Sequence, residues 1–179
     1  MTQIGFYIDT DRCVACRSCE VACKQWNNLA PNVVGEAGPR WRRIVSIEDG
    51  TFPDLTAVSM SMACMHCGKP ACAAVCPTGA ITKQAADGIV VVDQGKCIGC
   101  HYCFFACPFG VPQYGDDGTM QKCNLCLERL EQGKQPACVA TCPSRALNAG
   151  TMEELGRLAM EKTATKLAGA TQPSVLISK

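Results

Sequence analysis

The sequence predicts an α+β fold of short strands and helices, organised by cysteine rather than by an aliphatic core. Three observations carry this. Cysteine accounts for 16 of the 179 residues, a density that marks a covalently or metal-stapled scaffold. Leu, Ile, Val and Phe together make up about a fifth of the chain, the edge at which conventional cores become thin. Sixteen Gly and ten Pro keep the elements short. The length suits one compact unit or two intimately joined small ones. A net charge of +1 gives no electrostatic reason to expect a nucleic-acid partner. No apolar run approaches the ~20 residues of a membrane span, and Ile89 to Val92 is only strand-sized. The N-terminal MTQIGFYIDT lacks the basic-then-apolar layout of a secretory signal, so neither a direct membrane span nor a signal peptide is expected.

In chain order, GFYIDTDRC is an apolar strand-like run whose Asp9 lies four residues before the first cysteine. Group I follows: Cys13, Cys16, Cys19 and Cys23. Residues 24–63 form an insertion in which Trp41 to Ile47 and Leu55 to Met62 predict two strands joined across Glu48-Asp49-Gly50. Group II is Cys64, Cys67, Cys72 and Cys76. GIVVVDQGKC then repeats the first strand pattern, with Asp93 four residues before group III: Cys97, Cys100, Cys103 and Cys107. Group IV is Cys123, Cys126, Cys138 and Cys142. GKPACAAVCPTGAI after Cys67 parallels GKQPACVATCPSRAL after Cys126, so two half-motifs alternate A, B, A, B. From Thr151, TMEELGRLAM predicts a helix with Thr151 and Glu154 spaced as a capping box and Leu155, Leu158 and Ala159 as its buried stripe. The closing PSVLISK is expected to lie extended over the body.

Three chemistries compete for so many thiols. A disulfide framework needs an oxidising compartment, and thiols crowded on one tight loop do not easily all find partners. Zinc sites generally use two Cys pairs, often with His, and only His66 and His101 are present. Groups I and III read C-x2-C-x2-C-x3-C, the iron–sulfur run of bacterial two-cluster ferredoxins. Three cysteines on a loop wrap a cubane, while the fourth points away to a neighbouring cluster. Pro77, Pro108 and Pro143 follow the last cysteine of groups II, III and IV and turn the chain outward. Group I has Lys24 there instead. Four cysteines per cubane predicts four 4Fe–4S clusters.

Such runs exchange fourth ligands in pairs. Pairing II with III and I with IV gives four ligand sets: Cys13, Cys16, Cys19 and Cys142; Cys23, Cys123, Cys126 and Cys138; Cys64, Cys67, Cys72 and Cys107; Cys76, Cys97, Cys100 and Cys103. Sequential pairing, I with II and III with IV, is equally compatible with the spacing. A cubane ligated by four thiolates offers no open iron, and there is no G-x-G-x-x-G after a strand, P-loop or Ser/His/Asp constellation. The chain is therefore expected to carry electrons without transforming a substrate.

The motif order resembles the four-cluster electron-transfer subunits of molybdopterin oxidoreductases, among them the iron–sulfur subunit of dimethyl sulfoxide reductase. CVACRSCEVACK, CMHCGKPACAAVCPTGAI, CIGCHYCFFACPFGVPQY and KCNLCLERLEQGKQPACVATCPSRAL carry the resemblance, from about Phe6 to about Leu155. Related chains serve formate dehydrogenases and thiosulfate, polysulfide, tetrathionate and arsenate reductases. The resemblance favours nested pairing: an outer ferredoxin-like module over 1–23 and 108–150, an inner one over 64–107, the inserted hairpin region over 24–63, and a C-terminal helix and tail over 151–179. It implies a large molybdopterin-binding (Mo or W) catalytic subunit nearest the cluster of Cys13, Cys16, Cys19 and Cys142. The inner module would then face a quinone-reactive membrane anchor or other redox subunit, in an anaerobic respiratory complex. The chain would be membrane-associated through its partners or cytoplasmic, with the side of the membrane left open. Two departures stand out: no C-terminal membrane helix is expected after Lys179, and Cys100 stands where some nitrate reductase relatives have Trp. A polyferredoxin-like subunit of a hydrogenase or carbon monoxide dehydrogenase, or a free multi-cluster ferredoxin, is the alternative.

Five further features invite a role. His66 and His101 lie inside cysteine runs and are expected at partly exposed loop edges. Lys24 puts positive charge near the outer clusters. Trp41-Arg42-Arg43 suits a docking hairpin or a solvent-facing basic pair. Met60, Met62 and Met65 are expected to pack beside group II.

Overall fold

The computed structural model describes residues 2–31 and 38–178. Its elements run β1 (Ile4–Asp9), α1 (Ser18–Trp26), β2 (Arg43–Thr51), β3 (Asp54–Met62), α2 (Ala71–Ala74), β4 (Ile81–Lys83), β5 (Val90–Val92), α3 (Tyr102–Ala106), β6 (Gln113–Tyr114), β7 (Met120–Gln121), α4 (Leu127–Glu131), α5 (Ala137–Ala140), β8 (Leu147–Thr151), α6 (Met152–Met160), β9 (Ala164–Lys166) and β10 (Val175–Ser178). The molecule is thus mixed helix and strand, with two ferredoxin-like halves built on one local plan.

In each half, the strand before one cysteine run pairs antiparallel with the strand after another. β1, preceding group I, pairs with β8, following group IV, with Ile8 opposite Leu147. β5, preceding group III, pairs with β4, following group II, with Val92 opposite Ile81. The repeated aspartates close both ladders alike: the Asp9 N–H donates to the Ala146 carbonyl at 2.8 Å, and the Asp93 N–H to the Ala80 carbonyl at 2.8 Å. The short helices follow suit, α1 packing on α5 and α2 on α3.

Proline decides the length of these helices. α2, α3 and α5 have four, five and four residues and stop just before the last cysteine of their run, which a proline follows. A residue before proline is pushed out of the α region. With Lys24 in that place, α1 continues through Cys23 to Trp26.

The insertion contributes a two-stranded hairpin, β2 with β3. Its strands run through the Glu48-Asp49-Gly50 stretch that the sequence assigns to the connection. Gly50 still faces Leu55, and the chain reverses at Phe52-Pro53. Proline has no N–H to give a ladder, so pairing ends beside it. The hairpin base is tied to the body: the Glu20 carboxylate accepts the Ile44 N–H, and Arg43 donates to the Phe109 and Gly110 carbonyls at 2.7 and 3.0 Å.

The C-terminal segment is no surface cover. β10 lies inside a four-stranded sheet of order β8-β1-β10-β9, parallel to β1, and Val175, Leu176 and Ser178 are buried. β1 thereby finds partners on both edges, which an overlying tail would have left unpaired. The capping box at Thr151 and Glu154 is present, with both reciprocal bonds. Leu155 is buried against Tyr7 and Leu176, with Ala159 packed at the edge, but Leu158 is exposed. One turn of contact on a strand surface needs a narrower stripe than the sequence suggests.

The main core mixes aliphatic side chains with thiols: Phe6, Ile8, Met65, Ile89, Leu125 and Leu147 lie with Cys19, Cys64, Cys123 and Cys138.

Candidate metal centres

The loops that present the thiols are shaped by left-handed residues at repeating places. Two residues after the first cysteine stand Ala15, His66, Gly99 and Leu125, all with positive φ. Arg17 and His101, four residues after it in groups I and III, do the same and open α1 and α3. Three residues after the last cysteine, Gly79, Gly110 and Arg145 adopt it again and donate back to the carbonyls of Cys76, Cys107 and Cys142 at 3.3, 3.3 and 3.2 Å. At Gly99 a side chain would also meet the Gly118 carbonyl oxygen at 2.7 Å, so glycine is required there twice over.

No disulfide joins the sixteen thiols. One cavity, enclosing about 290 Å³ with its open mouth included, is lined by Cys13, Cys16, Cys19 and Cys142, with Ser61, Ser144 and Arg17. A second, of about 320 Å³, is lined by Cys76, Cys97, Cys100 and Cys103, with Thr78, His101 and Tyr114. In each, three thiols come from one run and the fourth from another. Of the remaining eight, Cys23, Cys64, Cys123, Cys126 and Cys138 are buried and Cys67, Cys72 and Cys107 half-buried. Burial, with the neighbouring thiols of Cys138, Cys126 and Cys19 against it, pushes the Cys23 thiol up to about 12. Burial, with Cys64, Cys107 and Cys67 against it, likewise pushes Cys72 up to about 12. Cys123 is raised by burial too, beside Cys23, Cys138 and Cys64. Cys64 and Cys123 lie in the same core.

Polar groups surround the sulfurs. Two residues beyond a cysteine in each case, the Ser18 hydroxyl accepts from the Cys16 thiol at 3.5 Å, and the Thr78 and Ser144 hydroxyls stand 3.7 and 3.8 Å from Cys76 and Cys142, where either atom can donate. The Met120 N–H reaches Cys97 at 3.3 Å and the Leu125 N–H reaches Cys123 at 3.4 Å. The Ser18 hydroxyl and N–H hold Cys16 below its ordinary value. The thiols ring a space rather than converge on a point: among the described residues no three His, Cys, Asp or Glu side chains could hold a single ion. Four thiols around a cavity, with N–H and O–H groups turned toward sulfur, is the donor set a thiolate-ligated iron–sulfur cubane requires.

Several residues differ from their sequence-based assignment. His66 is fully buried. Its Nδ1 accepts the Val90 N–H at 3.1 Å, which puts the ring proton on Nε2, a buried atom without a partner. Burial, then the charges of Lys122, Lys83 and Arg42, hold it well below the usual imidazole value, which favours the neutral ring. His101 is exposed and stacks on Tyr114 at 3.8 Å. Arg42 belongs neither to a docking surface nor to a solvent-facing pair: it is 2% exposed, with its guanidinium over the Phe6 ring. Only Arg43 is partly open. Met65 is buried and Met60 and Met62 pack against the same core. The Lys24 ammonium donates to the Ala30 carbonyl at 2.7 Å.

Lys122 went unmarked in the sequence. It is buried, its ammonium donating to the Val90 and Cys123 carbonyls. Its one visible signal is a lysine directly before a ligand-type cysteine.

Two family models, both described as a 4Fe–4S dicluster domain, match residues 55–152 and 12–81. This protein belongs to the 4Fe–4S dicluster family. An anaerobic dimethyl sulfoxide reductase chain of Escherichia coli K12 is 45% identical over 163 residues, covering 86% of this chain and 76% of that protein. A sulfite dehydrogenase subunit of Allochromatium vinosum is 38% identical, covering 82% and 68%. The formate dehydrogenase iron-sulfur subunit of Wolinella succinogenes is 36% identical, covering 93% and 90%. With these relatives, this member of the dicluster family is an iron–sulfur electron-transfer subunit of an oxidoreductase carrying 4Fe–4S clusters. Among the described residues no helix is long and apolar enough to cross a membrane.

Proposed function

We propose that the chain holds four 4Fe–4S clusters on the nested ligand sets Cys13/Cys16/Cys19/Cys142, Cys23/Cys123/Cys126/Cys138, Cys64/Cys67/Cys72/Cys107 and Cys76/Cys97/Cys100/Cys103. When bound, each cluster supplies one-electron redox chemistry, and four in one chain make a relay. The observation that carries this reading is the lining of the two cavities, each by three thiols of one run and the fourth of its proposed nested partner. The strand pairs β1–β8 and β4–β5 support it independently. Under this reading residues 1–23 and 108–150 form the outer module, 64–107 the inner one, 24–63 the inserted hairpin region and 151–179 the C-terminal extension, whose β10 completes the outer sheet.

The protein residues hold the ligands, keep water from the central thiols and leave two ends open. Cys16 and Cys100 are exposed. Val14 and Val21 stand exposed near Cys16, and Ile98, Tyr102 and Phe105 near Cys100. These apolar surrounds suit two docking partners. The relatives, subunits of oxidoreductases, support a catalytic subunit as one partner; this reading puts a large molybdopterin-binding chain at the Cys16 end and a quinone-reactive membrane subunit or other redox protein at the Cys100 end. Membrane association would then come through the partner.

Iron analysis is expected to give about sixteen per chain by stoichiometry from four cubanes. Ligand pairing is read from which electron paramagnetic resonance signal each substitution removes. Cys142→Ser should abolish the signal that Cys16→Ser abolishes, and Cys76→Ser the one that Cys100→Ser abolishes. If Cys142→Ser and Cys100→Ser share a signal instead, pairing is sequential and the nested reading is wrong. Purification from the native source should bring down a large pterin-binding chain.

A further inference from the structure

Arg42 is buried in the interior with hydrogen-bond donors to spare. Nη1 donates to the Ser61 carbonyl at 3.2 Å and its hydroxyl at 3.0 Å, and Cζ stands 4.4 Å from the centre of the Phe6 ring. Nε and Nη2 are buried and have no hydrogen-bond partner among the described residues. None of the ion pairs among those residues includes Arg42. The Ser61 hydroxyl that it reaches stands 3.2 Å from Cys19 Sγ, and the Phe6 ring beneath it packs in one core with Cys19, Cys123 and Cys138. Burial opposes its charge, and the surrounding sulfur of Cys138, Cys123, Cys19 and Cys23 favours it. Three of those four thiols belong to one proposed ligand set.

A buried cation without a carboxylate is expensive, and its unused N–H groups add to the cost. Sulfur that carries negative charge offsets both at once. Each electron added to a site of four thiolates makes that site more negative. A fixed positive charge and N–H donors in a poorly screened interior therefore stabilise the reduced state over the oxidised one.

We propose that Arg42 sets the reduction potential of the site formed by Cys23, Cys123, Cys126 and Cys138, holding it above the value that thiolate ligation alone would give. The inference rests on the ligand assignment above. It makes Arg42 a positioning and tuning residue, and the outer half's more buried site a resting place for the electron. The competing role is mechanical: Arg42 straps the hairpin to Phe6 and β3. A strap would leave every potential where it is.

The test is a redox titration of the full chain with its clusters, followed by electron paramagnetic resonance. Poised at the wild-type midpoint of the affected site, Arg42→Met should lower that site's reduced-to-oxidised ratio at least tenfold, about 59 mV for a one-electron couple. Arg42→Lys keeps the charge without the planar fork and should recover part of the loss. Arg43→Gln, one residue along β2, should leave all midpoints unchanged. Unchanged midpoints in iron-loaded Arg42→Met and Arg42→Lys overturn the proposal.

If neither variant loads iron, wild-type protein carrying ¹⁵N-arginine decides by pulsed resonance on the reduced sites. A hyperfine coupling to an arginine nitrogen that persists in Arg17→Gln and in Arg129→Gln supports the proposal, and its absence overturns it. Arg129 is the relevant control because its charge reaches Cys126. Wild-type protein with far fewer than sixteen irons would refute the ligand assignment itself, a result distinct from either outcome for Arg42.

Discussion

The half built on groups I and IV and the half built on groups II and III share their turns and differ in their surroundings. Both use a left-handed residue two places after the first cysteine and the same aspartate-to-alanine closure of a strand pair. Around β1 and β8, however, the chain adds β9, β10 and α6, whereas β4 and β5 remain two strands of three residues each. Cys19, Cys23, Cys123, Cys126 and Cys138 are buried in the first half, against Cys64 and Cys103 in the second. The Asp9 side chain is 3% exposed and its repeat, Asp93, 49%. A cysteine motif thus specifies its own loop, while burial comes from segments far along the chain.

The contrast is sharpest at the thiols themselves. Cys138→Ser strikes the buried core, and is expected to lose a cluster and lower stability by more than about 3 kcal/mol, given that structural metal–thiolate sites contribute on the order of 10 kcal/mol. Cys100→Ser, at an exposed loop, should lose one cluster while the resonance signals of the others and most of the stability survive. Iron content and urea midpoints of the two variants side by side check this; equal losses would erase the distinction between the halves. Chelating all the iron should abolish the cooperative unfolding transition altogether.

Exchanging the residues after the last cysteine probes the next difference. Lys24→Pro removes a helical hydrogen bond inside α1 and clashes with the preceding turn, at a cost of about 3 kcal/mol. Pro77→Lys frees a helix end that already lies in solvent and should cost less than about 1 kcal/mol. Denaturant titration of both gives the comparison, and a harmless Lys24→Pro would mean that α1 does not run past Cys23.

The aspartates give a smaller effect. Asp9 accepts the Arg12 N–H at 3.2 Å and pairs with Lys162. Asp9→Asn should cost about 1–3 kcal/mol, the penalty for unmaking a buried charged hydrogen bond. Asp93→Asn, at an exposed pair with Lys96, should change the urea midpoint very little. Thr151→Ala removes the cap of α6 and should cost about 1 kcal/mol, seen as a fall of about 2–4 °C in thermal midpoint.

Much of this was readable from residue types. The cysteine spacing predicts the chemistry because ligand geometry requires thiols at fixed intervals on a tight loop. The Asp9 and Asp93 repeats, the capping box at Thr151 and the two insertion strands are local patterns, and the structure places them nearly where the sequence does. What escaped was whatever depends on a distant neighbour. Arg42 and His66 read as surface residues, since a basic pair and a loop histidine are ordinarily solvated. Their burial follows from Phe6, Ser61 and Val90, which no local window contains. Leu158 looked buried because helical spacing marks a stripe, and only the strand surface beneath α6 decides how wide that stripe is.

The two family models, matching 12–81 and 55–152, show the same boundary from another side. A linear pattern joins consecutive runs, whereas the strands and helices that meet in space are those of groups I and IV, and of II and III. By itself, the sequence determined the donor atoms and their loops, because each cysteine run spans no more than about twenty positions, and the family, because the runs recur in a fixed order. Tertiary structure alone decided which thiols share a cavity, which cation lies among them, and that the last strand threads between β1 and β9. Those outcomes rest on closure of long loops and on desolvation, and both are set by the whole chain at once.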